Sequence, residues 1–195
     1  YRAAGAAAKL LAGKERRRVA FFVGEGWTNE LLESAVCGSI VGCHGQDLYR
    51  AEKSRHPFPD LRWSNVPEGV LASGRVLGSS VNLARRLVNE PPNAIYPESF
   101  AAAAKQVAEE ANLGIEIWDR DRLELERCGA LLAVGRGSSK PPRLVKLEYR
   151  AGGPQQPLLA LVGKGVTFDS GGLSIKPADG MKTMKCDMAG AAAVV

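Results

Sequence analysis

Lys164, Asp169, Lys176 and Asp187 fall close together near the end of this 195-residue chain. They lie in Leu161-Val-Gly-Lys-Gly-Val-Thr-Phe-Asp-Ser-Gly-Gly-Leu-Ser-Ile-Lys176 and in Met184-Lys-Cys-Asp-Met-Ala-Gly190. The carboxylates of Asp169 and Asp187 are hard oxygen ligands that suit magnesium, manganese or zinc. A lysine amine, here that of Lys164, can join them only when deprotonated, and metal binding supplies the free energy for that step. A second lysine left off the metal, Lys176, could polarise a substrate oxygen. Spacing alone is equally compatible with a surface loop of solvated charges, because short motif matches also arise by chance.

These residues need something to hold them. Leu158 to Val162 is a short continuous apolar run ended by glycine, which predicts a buried strand. Gly163, Gly165, Gly171 and Gly172 then allow backbone conformations that other residues avoid. Charged side chains beyond the end of a central strand are where open α/β sheets place their chemistry. No nucleophilic side chain is evident. Ser170 sits in Asp-Ser-Gly-Gly, which lacks the Gly-x-Ser-x-Gly elbow of serine hydrolases. The two histidines, His44 and His56, form no His-x-x-x-His pair and are read as structural or exposed.

The string Val-Gly-Lys-Gly-Val-Thr-Phe-Asp-Ser-Gly-Gly-Leu-Ser-Ile-Lys-Pro, followed by Met-Lys-Cys-Asp-Met-Ala-Gly-Ala-Ala-Ala-Val, closely resembles the leucyl aminopeptidase family, peptidase family M17. Val81-Asn-Leu-Ala-Arg-Arg-Leu-Val-Asn-Glu-Pro-Pro-Asn93 resembles that family's interdomain helix and the turn after it, and Leu131 to Leu144 is also similar. The resemblance is firm from about Val81 onward and loose before Gly78.

The resemblance implies a two-metal aminopeptidase that releases N-terminal amino acids, with leucine-type preference, by attack of a metal-bound hydroxide. Lys164 matches a metal ligand, Asp169 the aspartate bridging both ions, and Asp187 a further ligand of the lysine-bearing site. Lys176 matches the catalytic lysine, which binds no metal and stabilises the developing oxyanion. Met184 matches a residue lining the pocket for the first substrate side chain, and is as readily explained as core. The implied cofactors are two divalent ions, manganese or zinc, with a bicarbonate-like anion. Peptide substrates, a homo-hexamer and a cytoplasmic location are implied as well. A non-catalytic relative, acting in assembly or nucleic-acid binding, is the alternative; retention of all four charged residues argues against it.

The family's remaining ligands belong to an Asn-Thr-Asp-Ala-Glu-Gly-Arg motif that does not occur before Val195. The chain is therefore expected to be an N- and C-terminally truncated fragment, inactive by itself.

Composition fits this reading. No apolar run approaches the ~18 residues of a membrane span, and no signal-peptide pattern precedes Ala3 to Ala12. Cys37, Cys43, Cys128 and Cys186 are scattered, which reads as reduced thiols, and Cys186 is not expected to bind metal. The net charge is +5, and the densest basic run, Arg16 to Arg18, reads as a solvated strand entry and not as a nucleic-acid face.

The remaining pattern alternates helix and strand. Helices are expected at Ala3 to Leu11, from a cap at Asn29 to about Ile40, from Leu77 to Val88, from Pro97 to Ala111 and at Arg122 to Arg127. Strands are expected at Val19 to Val23, Ile115 to Trp118, Leu144 to Tyr149 and Leu158 to Val162, the last two joined through Gly152-Gly153-Pro154. Gln46 to Arg75 reads as a long connection with one short strand. Such alternation predicts an α/β fold, a three-layer sandwich with a mixed sheet. The expected organisation is a partial N-terminal α/β domain (1–76), an interdomain helix and turn (77–93), and the first part of a zinc-exopeptidase-like catalytic domain (94–195).

Overall fold

The computed structural model describes residues 1–150 and 157–195. It divides into two compact units, Tyr1–Arg86 and Leu87–Val195. The class is α/β: helices accompany one parallel and one antiparallel pair of strands.

In the first unit, α1 (Arg2–Leu11) packs on α2 (Asn29–Cys43). Strand β1 (Arg18–Phe22) pairs in parallel with β2 (Asp60–Ser64), and Phe21 stacks on Trp63 with ring centres 4.6 Å apart. Ala8, Ala12, Val19, Cys43 and Phe58 form the buried centre. The cap of α2 is Thr28, one residue before the expected Asn29, and its hydroxyl accepts the N–H of Leu31. His44 ends the same helix with its ring Nδ1 2.9 Å from the Ile40 carbonyl, the structural role expected of it.

Helix α3 (Glu68–Asn89) starts nine residues before the expected Leu77. Its early glycines suggest a loop when read in isolation. Here they let two helices approach: a Cβ on Gly74 would lie 2.7 Å from Val36 Cβ, and one on Gly78 would lie 2.8 Å from Ile40 Cβ. Asn82 and Arg85 then donate to the Ile40 and Val41 carbonyls at 3.2 and 3.1 Å. Tertiary packing overrides the low helix propensity of glycine.

The second unit contains α4 (Pro97–Ala111), whose buried Phe100, Ala104 and Ala108 recur at helical spacing. That helix packs on both strands of an antiparallel pair, β3 (Gly114–Trp118) and β4 (Leu144–Glu148). Tyr96 provides no side-chain cap; instead Ser99 Oγ accepts the Tyr96 N–H at 3.0 Å. Asn112, in the left-handed region at φ 53°, ends α4, and Gly114 opens β3. The short helices α5 (Arg120–Leu125) and α6 (Gly129–Gly135) follow β3, with Leu123 fully buried. After β4 come α7 (Ala178–Met181), a 3-10 turn (Met184–Cys186) and α8 (Ala189–Val194).

The expected strand Leu158 to Val162 does not form. No strand pairs with it among the described residues, and Leu158 and Val162 are 87% and 94% exposed. An apolar run states a tendency to be buried, but a strand also needs a neighbour to take its backbone hydrogen bonds. The expected connection through Gly152-Gly153-Pro154 lies outside the described residues. All four cysteines are free thiols, as expected. Among the described residues no helix is long and apolar enough to cross a membrane.

One substitution in α3 should separate packing from propensity. Gly74→Ala is expected to lower the unfolding free energy by about 1–3 kcal/mol, the usual cost of overpacking. Gly69→Ala, where a Cβ meets nothing within 4 Å, should leave it unchanged or raise it by up to about 1 kcal/mol. Denaturant titration checks both; equal effects would contradict the packing described.

Candidate metal centre

The site is assembled by direct backbone contact. A Cβ on Gly163 would lie 2.5 Å from the Gly190 carbonyl oxygen and 2.6 Å from Ala191 Cα, so only glycine fits there. The first N–H groups of a helix have no partner within it. In α8, that of Ala191 donates to the Lys164 carbonyl at 2.9 Å. Met188, fully buried, and Ala192 anchor the same helix. Asp187 immediately precedes Met188, and its Oδ1 accepts a hydrogen bond from Lys164 Nζ at 2.7 Å.

Asp169 is set by the loop that follows. Its Oδ1 accepts the Gly171 N–H at 2.9 Å, and the Lys176 N–H closes the loop on the Ser170 carbonyl at 2.9 Å. Gly171 sits at φ +91°, where any other residue would be strained and a Cβ would strike the Ser174 carbonyl. The closure brings Lys176 Nζ to 2.7 Å from Asp169 Oδ2.

The structure thus pairs Lys164 with Asp187 and Lys176 with Asp169. The pairs also feel each other, because Lys164 and Asp169 act on one another electrostatically. Charge therefore alternates along Asp187, Lys164, Asp169 and Lys176. The Lys176 ammonium, then the Gly171 N–H, hold the Asp169 carboxyl below its ordinary range. The hydrogen bond to Asp187 holds the Lys164 ammonium above its ordinary value. Ion pairs this open to solvent contribute little to stability, about 0–1 kcal/mol each. Side-chain exposure is 59% at Lys164 and 30% at Lys176, so the arrangement has little value as a staple.

Asp187 Oδ2 points to a different use. It is buried and accepts no hydrogen bond among the described residues. A buried acceptor left this way is costly, by about 1–3 kcal/mol and more when charged, and calls for an unseen partner. A divalent cation is a fitting partner for a carboxylate oxygen, and Asp169 and the amine of Lys164 complete a plausible donor set around it. Lys164 would first give up its proton. Among the described residues no group of three or more His, Cys, Asp and Glu comes together as a metal site. Met184 opens the 3-10 turn and is half-buried.

One contact had no counterpart in the sequence reading. Lys185 Nζ donates to the Asn89 carbonyl at 2.6 Å, across 96 residues of sequence. Its signal was indirect: Pro91 and Pro92 follow α3 and bring no N–H to the end of that helix.

Residues 82–195 match the profile of the cytosol aminopeptidase family, catalytic domain. The "Probable cytosol aminopeptidase" of Rhodopirellula baltica is 48% identical over 190 residues, covering 97% of this chain and 37% of that relative. That of Syntrophotalea carbinolica is 55% identical over 130 residues, covering 65% of this chain and 26% of that relative. Among solved structures, the bottromycin maturation enzyme BotP in complex with Mn superposes with a TM-score of 0.84 at 33% identity, over 97% of this chain and 41% of that one. The cytosol aminopeptidase from Coxiella burnetii gives 0.80 at 34% identity, over 97% of this chain and 39% of that one. The chain thus spans well under half the length of these relatives.

The pairing of Lys176 with Asp169 predicts a titration. A carboxyl with a lowered folded value stabilises the fold above its ordinary value, about 3.9, and loses that contribution as pH falls through the lowered one. In metal-free protein, Lys176→Met removes the largest cause, so Asp169 should titrate at higher pH. Carbon-13 NMR of the side-chain carboxyl checks this; an unmoved titration would show that Lys176 does not control Asp169.

Proposed function

Because the chain belongs to the cytosol aminopeptidase family, we propose that it is part of a two-metal aminopeptidase that removes N-terminal residues from peptides. The observation that carries the reading is the convergence of Lys164 and Asp187 at 2.7 Å beside a buried Asp187 Oδ2 with no hydrogen-bond partner. Lys164, Asp169 and Asp187 are the residues that would hold divalent ions. When bound, such ions supply Lewis-acid polarisation and an activated water.

The chain's own residues then divide the work. Asp187, at 18% side-chain exposure, offers its carboxylate from a turn fixed by buried Met188. The Asp169 carboxyl is held below its ordinary range, since Lys176 and the Gly171 N–H favour the ionised form. Lys164 binds metal only as a free amine, and its partnership with Asp187 opposes loss of the proton. Lys164 would therefore release one proton on becoming a ligand. Lys176 is the catalytic lysine: its ammonium lies 2.7 Å from Asp169 Oδ2, where it could donate to a substrate carbonyl oxygen brought beside that carboxylate. A fixed cation there favours the oxyanion over the neutral carbonyl.

The finer assignments belong to the same proposal. The Mn complex of BotP supports manganese, with zinc as the other candidate. Leucine-type preference with Met184 in the pocket, a bicarbonate-like anion, a homo-hexamer and a cytoplasmic location rest on family resemblance. So does the division into a partial N-terminal domain (1–76), an interdomain helix and turn (77–93) and the first part of the catalytic domain (94–195). The retained charges and the relatives' names support an enzyme over a non-catalytic assembly or nucleic-acid-binding component.

Two substitutions in the full-length enzyme test the roles. Asp169→Ala should abolish hydrolysis of an amino-acid amide together with loss of bound metal. Lys176→Ala should keep the metal and lower kcat by about 10²–10³-fold, the usual scale for a lost oxyanion donor. Metal analysis beside kinetics separates them; equal metal loss in both variants would contradict the assignment.

A further inference from the structure

We propose that Lys185 is a positioning residue for the metal centre: bonded to the C-terminal carbonyl of α3, it fixes the turn that presents Asp187. The inference rests on Asp187 being a metal ligand, as argued above.

The last four carbonyls of a helix lack partners within it and are commonly met by N–H groups just beyond the helix end. That solution is restricted after α3. Pro91 and Pro92 have no N–H, and the N–H groups of Ala94 and Ile95 both go to the Pro91 carbonyl, at 2.9 Å each. Lys185 supplies a donor at 2.6 Å from Asn89 O, in a half-buried setting. A cation is the favoured partner at this end, where the helix dipole is negative, and charge-assisted hydrogen bonds are the stronger ones.

The contact bears on Asp187 through geometry. Lys185 is the middle residue of the 3-10 turn Met184–Cys186, and Asp187 closes that turn with its N–H 3.3 Å from the Met184 carbonyl. On its other side Asp187 adjoins buried Met188 and α8, which is tied to Lys164 through Ala191. Asp187 is thus held from two sides, by the core through Met188 and by α3 through Lys185. Without Lys185 the turn would keep one anchor, and the carboxylate would lose its fixed aim at Lys164 Nζ. Lys185 itself touches neither Asp187 nor Lys164 among the bonds described, so it acts through the backbone.

The test uses the full-length enzyme, stripped of metal and titrated with Mn²⁺ by calorimetry, with kcat, KM and the thermal midpoint of the metal-free protein measured alongside. Lys185→Met keeps the aliphatic stem and removes the donor. It should weaken Mn²⁺ binding about 10–100-fold, the range typical of outer partners of metal ligands, and lower kcat more than KM changes. Lys185→Arg, which can donate to the same carbonyl, should recover most of the affinity. If Lys185→Met does not fold, Lys185→Gln takes its place under the same criterion. Unchanged Mn²⁺ affinity in Lys185→Met, or a loss that Lys185→Arg does not recover, overturns the inference. Asp187→Asn in parallel separates the two levels: if it abolishes Mn²⁺ binding while Lys185→Met does not, the Lys185 inference alone falls. If Asp187→Asn leaves binding intact, the assignment of Asp187 as a ligand falls and takes the inference with it.

Discussion

The site depends on one close approach of backbone to backbone. Gly163 and Gly190 pack so tightly that neither neighbour could move away without breaking the Ala191 N–H to Lys164 carbonyl bond. That bond occupies one of the unpaired N–H groups at the start of α8, and it brings Lys164 beside Asp187, 23 residues later. Side-chain chemistry follows from a contact in which no side chain takes part. Gly163, just before Lys164, therefore serves proximity, while Gly171, at φ +91°, serves turn geometry.

Much of this was legible in the sequence, because the features that carry it are local. The proline break after α3, the apolar spacing of α4 and the alternation around β3 and β4 are all short-range signals. The lysine–aspartate string stands out for the same reason: charged residues packed among glycines are unusual enough to name a family. The errors were non-local. Helix α3 extends back to Glu68 because Gly74 and Gly78 meet Val36 and Ile40, which a linear reading cannot see. Leu158 to Val162 has a strand's composition, yet a strand is a relation between segments, and no partner runs beside it among the described residues. Lys185 was missed in the same way, since its acceptor lies 96 residues away.

The two lysines look interchangeable in the sequence and are not so in the structure. Lys164 is 59% exposed and bonded to the more buried carboxylate, whereas Lys176 is 30% exposed and bonded to the more open one. Lys176 is also held at its own backbone, where its N–H bonds to the Ser170 carbonyl. A side chain whose root is fixed and whose charge is partly shielded makes a dependable electrostatic device, because little reorganisation is needed when substrate charge develops. Lys164 is the more exposed of the two, and in the proposed role it would have to lose its proton before binding metal.

The lone oxygen of Asp187 favours the proposed functional account of the cluster over a structural one. If the four charges existed to stabilise the loop, each carboxylate oxygen would be expected to face a donor, as both oxygens of Asp169 do through Gly171 and Lys176. Asp187 uses one oxygen and buries the other without a partner. Selection for stability would remove such a group, since exposed pairs contribute too little to offset it. A cation, as proposed, would resolve the cost, and it would do so beside buried Met188. The proposed roles fit this arrangement: Lys164, beside the unsatisfied oxygen, would share the ion, while Lys176, paired with Asp169, would act on the substrate.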